Sequence, residues 1–416
     1  MADGWGPRIL RVWRADPVGA FWQALTLGAG YNAALVTLGA AALGFAAGSG
    51  GSFLVLRGRA LVSDAMAHAT LPGVALAFMV MVAMGGDGRW LPGLLLGSAL
   101  SALVGLWVVG WIARATRLPE DAAIGAVLGS FFGLGVVLLT VIQTMGQGRA
   151  AGLEGFLLGS TAGMLRQDAL IIAVGGALVV AAVWALRRPM TLVAFDPGFA
   201  AATGWNVGRI DMAVMAIVTA VAVIGLKIVG LVLTVALLVI PAVTARFWTD
   251  RSGRLVWIAG GLGALSGYVG AALSASAPDL PTGPIIVLVA AGLFTVSLLA
   301  APARGVLAAA ARHHRYQAQV HRRQGLLALA RGDAIAERYT LRLMVRAGFA
   351  RPDGVATEAG RGAAARLLRD EQRRAVARDM FRAGPPADDG LMPVERLFTP
   401  DQLRAIDARL APRAVP

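Results

Sequence analysis

The strongest constraint on this chain is a succession of apolar blocks of bilayer-spanning length, separated by connections that carry arginine. Blocks at 63–84, 91–113, 121–142, 169–186, 254–275 and 283–301 each approach the length a helix needs to cross a hydrocarbon core. Two further apolar stretches exceed one crossing. Residues 21–56 are interrupted by Gly48-Ser49-Gly50-Gly51 and are too long for one straight span, which predicts a break or a short in-plane lead-in. Residues 209–243 hold Lys227 near the middle with Gly225 and Gly230 beside it, which predicts two shorter crossings joined by a tight turn. Lipid leaves no partner for an exposed backbone amide, so an all-α polytopic membrane protein with about eight to ten transmembrane helices is expected.

Composition agrees and narrows the chemistry. The 416 residues are 57% hydrophobic and 15% charged with a mean hydropathy of +0.68, which excludes an ordinary soluble domain. Cysteine is absent, so disulfides and thiolate metal sites are excluded. The net charge of +14 is nearly all arginine, because Lys227 is the single lysine. In a membrane protein that balance reports topology and contact with anionic lipid before it suggests nucleic acid. Placing Arg57/Arg59, Arg114/Arg117, Arg187/Arg188/Arg209, Arg246/Arg251/Arg254 and Arg304 on one side leaves Arg89, Arg149, Arg166 and Lys227 on the other. The positive-inside rule makes the first side cytoplasmic. It leaves the N-terminus outside unless residues 21–56 cross twice.

The chain accordingly divides into an interfacial segment (1–20), a membrane domain (21–303), a basic linker (304–323) and a cytoplasmic domain (324–416). In the first, Trp5 and Trp13 alternate with Arg8, Arg11 and Arg14, without the pattern of a cleavable leader. Beyond 303 the sequence is arginine-rich, with helix-like stretches and no span.

Inside the block that follows Arg57 and Arg59 stand Asp64 and His68, four residues apart and thus on one helix face. A carboxylate and an imidazole on one face form a usable ligand pair for a divalent transition metal, and ionisable groups in a span default to function. The competing reading is that Ser63 and Asp64 cap a helix start while His68 is a satisfied core residue. Pro241 is expected to end or kink the helix before it, with a short amphipathic turn around Arg246 following on the cytoplasmic side. Glu120 and Asp121 after Pro119, and Asp168, suit helix starts.

Five blocks follow in order: LRGRALVSDAMAHATLPGVALAF (56–78), EDAAIGAVLGSFFGLGVVL (120–138), LEGFLLGSTAGMLRQD (153–168), FDPGFAAATG (195–204) and GLKIVGLVLTVALLVIPAVTARF (225–247). Together they resemble the ABC-3 family of zinc, manganese and iron ABC-importer permeases. The resemblance implies a permease subunit paired with itself or a related subunit, two ATPase subunits on its cytoplasmic face, and an external binding protein that delivers the ion. It implies that Asp64 and His68 lie on the metal path, and that Pro241, Ala242, Thr244, Ala245 and Arg246 belong to a coupling element that docks on the ATPase. It implies no permanently bound cofactor, only a transported divalent metal (Mn2+, Zn2+ or Fe2+).

The tail, at 341–375 and 393–410, resembles the iron-dependent repressor family, which implies an α-rich winged-helix-like domain. That family's His, Glu and His ligands align with Asp388, Met392 and Arg396. Arginine cannot ligate and Met is a poor ligand for manganese or zinc, so a docking or regulatory module beside the ATPases is expected rather than a metal sensor. Nucleic acid is not an expected partner.

The lone lysine follows Leu226, so no GxxxxGK[ST] phosphate loop occurs in this sequence. The expected function is therefore a non-enzymatic permease subunit importing a divalent metal on another chain's ATP hydrolysis. The alternatives are an ion-coupled secondary metal transporter and a membrane-tethered metal-responsive regulator. The first would want more buried carboxylates and an internal repeat.

Overall fold

The computed structural model describes residues 17–86, 88, 90–144, 164, 166–225, 230–277, 280–302, 304–380 and 391–410. They fall into two compact units, Met1–Val306 and Leu307–Pro416.

In the first unit a short helix α1 (Pro17–Leu25) precedes α2 (Tyr31–Leu56), α3 (Ala60–Ala83), α4 (Leu91–Ala115), α5 (Glu120–Thr144) and α6 (Arg166–Phe195). The six-residue α7 (Pro197–Ala202) leads to α8 (Val207–Gly225), α9 (Leu231–Ala245), α10 (Ser252–Ala275) and α11 (Thr282–Ala300). Eight of these are long and apolar enough to span a membrane: α2 to α6, α8, α10 and α11. The chain is a multi-pass membrane protein. The fifteen residues of α9 extend only about 22 Å at 1.5 Å per residue, less than a full hydrocarbon core. The division of 209–243 into two helices falls between Gly225 and Gly230, as the glycines predict. Lys227 lies outside the described residues.

Two expectations need correction. Gly48-Ser49-Gly50-Gly51 does not interrupt the first long apolar stretch; the break comes earlier, between α1 and α2, and all four residues are buried within α2. The reason is packing. A Cβ on Gly44 or Gly48 would stand 2.1 Å from the backbone oxygens of Gly263 and Ala259, and one on Gly267 would stand 2.2 Å from that of Ala40. Helices α2 and α10 therefore meet backbone to backbone along a small-residue seam, a contact that any side chain would prevent. Second, Pro241 does not end its helix. Like Pro72 in α3 and Pro189 in α6, it lies inside α9, which continues to Ala245. In packed membrane helices, neighbours can compensate the amide that proline lacks.

Helix α2 is the hub, packing on α10, α6, α9 and α8, whereas α3 packs chiefly on α4 and α5. In sequence α2 and α3 are joined by the turn at 57–59, where Gly58 adopts φ +70°, a conformation that favours glycine.

The second unit contains α12 (Val306–Arg331), α13 (Arg338–Arg346), α14 (Glu358–Met380), a 3-10 turn (Val394–Arg396) and α15 (Pro400–Leu410). Among the described residues its sole β pairing is the bridge Ala350 to Ala356. One core gathers Leu326, Met344, Ala350 and Ala363; a second gathers Ala377, Val394, Phe398 and Ile406. Arg373 ties α14 to α15 through two 2.7 Å hydrogen bonds to the Asp407 carboxylate. The guanidinium holds the Asp407 carboxyl below its usual range, whereas burial, reinforced by Glu395, pushes Asp370 up. Asp388 lies outside the described residues, Met392 is exposed, and Arg396 ends the 3-10 turn.

Candidate metal-permeation site

Asp64 is the fifth residue of α3, not its cap. The Ser63 hydroxyl donates to the Ala60 carbonyl at 2.6 Å, so the capping account of this pair does not hold. His68 Nε2 stands 3.5 Å from Asp64 Oδ1, with the His68 side chain 15% exposed and that of Asp64 41% exposed. The carboxylate thus faces an open space while the ring is held against the protein. The Phe132 ring of α5 meets the imidazole edge-on, with centroids 5.0 Å apart. His68 Nδ1 is buried without a hydrogen-bond partner.

Two ligand atoms 3.5 Å apart, each about 2.1 Å from a shared ion, subtend roughly 110° at it. That is close to a tetrahedral angle and within reach of a distorted octahedral edge. A metal-ligating histidine normally donates its other N–H to a carboxylate or carbonyl, which raises its basicity. His68 lacks that support. Among the described residues no group of three or more His, Asp or Glu is placed to hold an ion. Two ligands, one of them unsupported, suit brief contact with an ion that must leave again. His68 is eight residues into α3, about 12 Å from the end that begins at Ala60.

At that same end lies a cluster of charges. Arg57 Nη2 stands 2.6 Å from Asp211 Oδ2, and Arg59 Nη1 3.2 Å from the same oxygen. Arg59 Nε reaches Glu120 Oε1 at 3.1 Å, and Arg57 Nη1 donates to the Val193 carbonyl at 2.9 Å. The end of α2, the starts of α3, α5 and α8, and the last turn of α6 are thereby brought to one side. These are ends that the arginine distribution assigns to one face. Glu120 does begin its helix, and it also joins this network. Sequence reasoning missed Asp211; its signal was a carboxylate just inside an apolar helix, opposite in sign to the arginines of the α2–α3 turn.

The expected coupling residues separate into two groups. Pro241, Ala242, Thr244 and Ala245 are buried, and Ala242 and Ala245 pack with Leu255 and Ala259 of α10. The Thr244 hydroxyl turns back to the Ile240 carbonyl at 2.6 Å. Arg246 is exposed, and Trp248 Nε1 donates to Ser297 Oγ at 2.9 Å. On the same side as Val193, the short α7 is capped by Asp196, whose carboxylate accepts from the Phe199 amide at 2.8 Å. It leaves Phe195 and Phe199 exposed. Sequence reasoning quoted this motif but drew no surface from it. Asp168, in the first turn of α6, is buried.

The ABC 3 transport family matches residues 31–301. The manganese transport system membrane protein MntC of Bacillus subtilis is 41% identical over 298 residues, 72% of this chain and 67% of that protein. The zinc transport system membrane protein TroC of Treponema pallidum is 40% identical over 277 residues, 67% of this chain and 91% of the relative. Among solved structures, PsaBC from Streptococcus pneumoniae in complex with Fab aligns with a TM-score of 0.60 at 28% identity, covering 69% of this chain and 97% of that one.

Proposed function

The chain belongs to the ABC 3 transport family, and we propose that it is the membrane permease subunit of an ATP-binding-cassette importer for manganese or zinc. It is not itself an enzyme. The observation that supports the import reading most directly is the Asp64–His68 pair, partly open between buried neighbours Ser63, Ala65, Met66, Ala67 and Ala69. In this reading a divalent ion delivered from outside touches Asp64 and His68 in passing. The two arginines beneath the pair repel it until Asp211 and Glu120 draw them aside. A cation then meets unpaired like charge at the inner end when the ion pairs are open, and a neutralised exit when they are made.

The cytoplasmic face carries the contact with the ATPase. Arg246 at the end of α9 and Phe199 on α7 are its exposed anchors, and the buried Pro241, Ala242, Thr244 and Ala245 form the stiff support behind Arg246. An ATPase pair, a second permease subunit and an external metal-binding protein complete the assembly. Residues 307–416 lie in the cytoplasm as a winged-helix-like module that regulates transport or docks beside the ATPases. A metal-sensing role does not fit Met392 and Arg396 at ligand positions.

The test is metal accumulation in an importer-deficient bacterium that expresses this chain with and without a partner ATPase and binding protein. Accumulation of manganese or zinc only when the ATPase is present supports the reading. Accumulation without any ATPase would instead support an ion-coupled carrier.

A further inference from the structure

A cavity of about 410 Å³ lies between α2, α6 and α10, away from the Asp64–His68 pair. Its mouth carries Arg187, half-buried, and Arg188, exposed. Among the described residues neither arginine has a carboxylate partner; Arg187 instead lies over the Trp184 ring at 5.4 Å. Ser252 and Gly253, in the first turn of the 24-residue α10, also line the cavity, and that helix begins with no side-chain cap. Two unpaired guanidinium groups and an uncapped helix N-terminus thus converge on one spot, and both attract anions. Below them the lining turns apolar, with Phe53 and Val256, and the exposed rings of Trp184 and Trp257 stand at the rim.

The depth is informative. Arg187 precedes Val193, which Arg57 binds, by six residues, so it stands about 9 Å further into the membrane along α6. That is the level at which arginine stems snorkel toward headgroups and tryptophans form an interfacial belt. Lower still, the Ser49 hydroxyl lines the cavity; it is 1% exposed and has no hydrogen-bond partner.

We propose that this cavity is a binding site for an anionic phospholipid. The phosphate lies between Arg187, Arg188 and the start of α10, an acyl chain covers Phe53 and Val256, and the Ser49 hydroxyl donates to an ester carbonyl. The site is independent of the transport reading and of which metal is carried.

The experiment is native mass spectrometry of the full-length protein with dioleoyl phosphatidylglycerol, with dioleoyl phosphatidylcholine and with inorganic phosphate. Phosphatidylglycerol is expected to bind at least about tenfold more tightly than phosphatidylcholine, because each arginine near the headgroup contributes to anion attraction. Arg187→Gln/Arg188→Gln should remove that preference, and Arg187→Lys/Arg188→Lys should keep most of it. Equal binding of the two lipids by the wild type overturns the proposal without reference to any variant. So does an unchanged preference in a folded Gln variant. Displacement of phosphatidylglycerol by millimolar inorganic phosphate would assign the headgroup pocket to a free anion. Because the chain has no native cysteine, Trp257→Cys offers a further check. Crosslinking between two copies in phosphatidylglycerol bilayers would assign the surface to a second copy of the chain and overturn lipid occupancy.

Discussion

Arg57 and Asp211 are 154 positions apart in sequence, yet their guanidinium and carboxylate stand 2.6 Å apart, and Arg59 shares the same carboxylate oxygen at 3.2 Å. One acidic side chain thereby engages both arginines of the α2–α3 turn, and Glu120 supplies a second carboxylate to Arg59. With Arg57 14% and Asp211 19% exposed, solvent screens the pair only in part. Asp211→Asn should lower stability by about 1–3 kcal/mol, because it leaves a partly buried charge without its partner. Thermal unfolding in detergent measures this; an unchanged midpoint would show the pair to be dispensable.

Asp64→Asn and His68→Ala should each reduce metal uptake at least about tenfold, equivalent to ~1.4 kcal/mol of lost ligand interaction. Membrane expression should be little changed, since the Asp64–His68 approach at 3.5 Å and the edge-on contact of His68 with Phe132 are both local to one face of α3. Uptake of radioactive manganese or zinc, normalised to expressed protein, provides the measurement. Unimpaired uptake in both variants would move the ion path elsewhere.

Gly48→Leu places a side chain where even a Cβ would stand 2.1 Å from the Ala259 carbonyl oxygen. Helices α2 and α10 must then separate, at a cost expected to exceed about 3 kcal/mol, the upper part of the usual overpacking range. Gly129→Leu, at a position with open space around it, serves as the control and should be tolerated. Detergent-extracted yield and melting temperature distinguish the two.

Phe199→Ala on α7 and Arg246→Ala after α9 remove two exposed side chains that the proposed function assigns to the ATPase contact. Each should weaken association with the ATPase about tenfold, the effect of losing ~1.4 kcal/mol at an interface anchor. Co-purification of the ATPase with the tagged chain reads this directly, and full recovery with both variants would exclude this docking surface.

In the second unit, Asp407 has a folded-state pKa below the ordinary value of 3.8 because Arg373 donates to it. Its contribution to holding α15 on α14 is therefore complete above that value and is lost as pH falls below it. Asp370, raised by burial, works in the opposite sense: as pH climbs through its elevated value, ionisation weakens the fold. Asp407→Asn should remove the acid-side dependence and reduce protection of α15 by about 0.5–1 kcal/mol, a modest figure because the carboxylate is 46% exposed. Hydrogen exchange of the full-length chain across pH 3 to 6, roughly the carboxylate range, reports both effects.

Much of the membrane architecture was legible in the sequence because lipid imposes a length and an apolarity on each span, and both are visible residue by residue. The division near Gly225 and Gly230 was legible for the same reason. The interior of α2 was not. Gly48-Ser49-Gly50-Gly51 has the local signature of a break, and only the partner helix α10 turns it into a contact surface. Of the two outcomes Pro241 allowed, an end or a kink, the structure excludes the end, since α9 continues to Ala245. Asp64 and His68 could be picked out from their spacing, but the unsupported Nδ1 and the shared carboxylate of Asp211 depend on residues far along the chain.

The backbone seam between α2 and α10 also has a mechanical consequence. Helices in contact through main-chain atoms have no layer of side chains to shear, so they can only move as one stiff girder. Helix α3, carrying Asp64 and His68, packs chiefly on α4 and α5 and less extensively on α8 and α9, and the short turn around Gly58 joins it to α2. The seam is thus the part of the membrane unit least able to give, and the helix bearing Asp64 and His68 lies outside it.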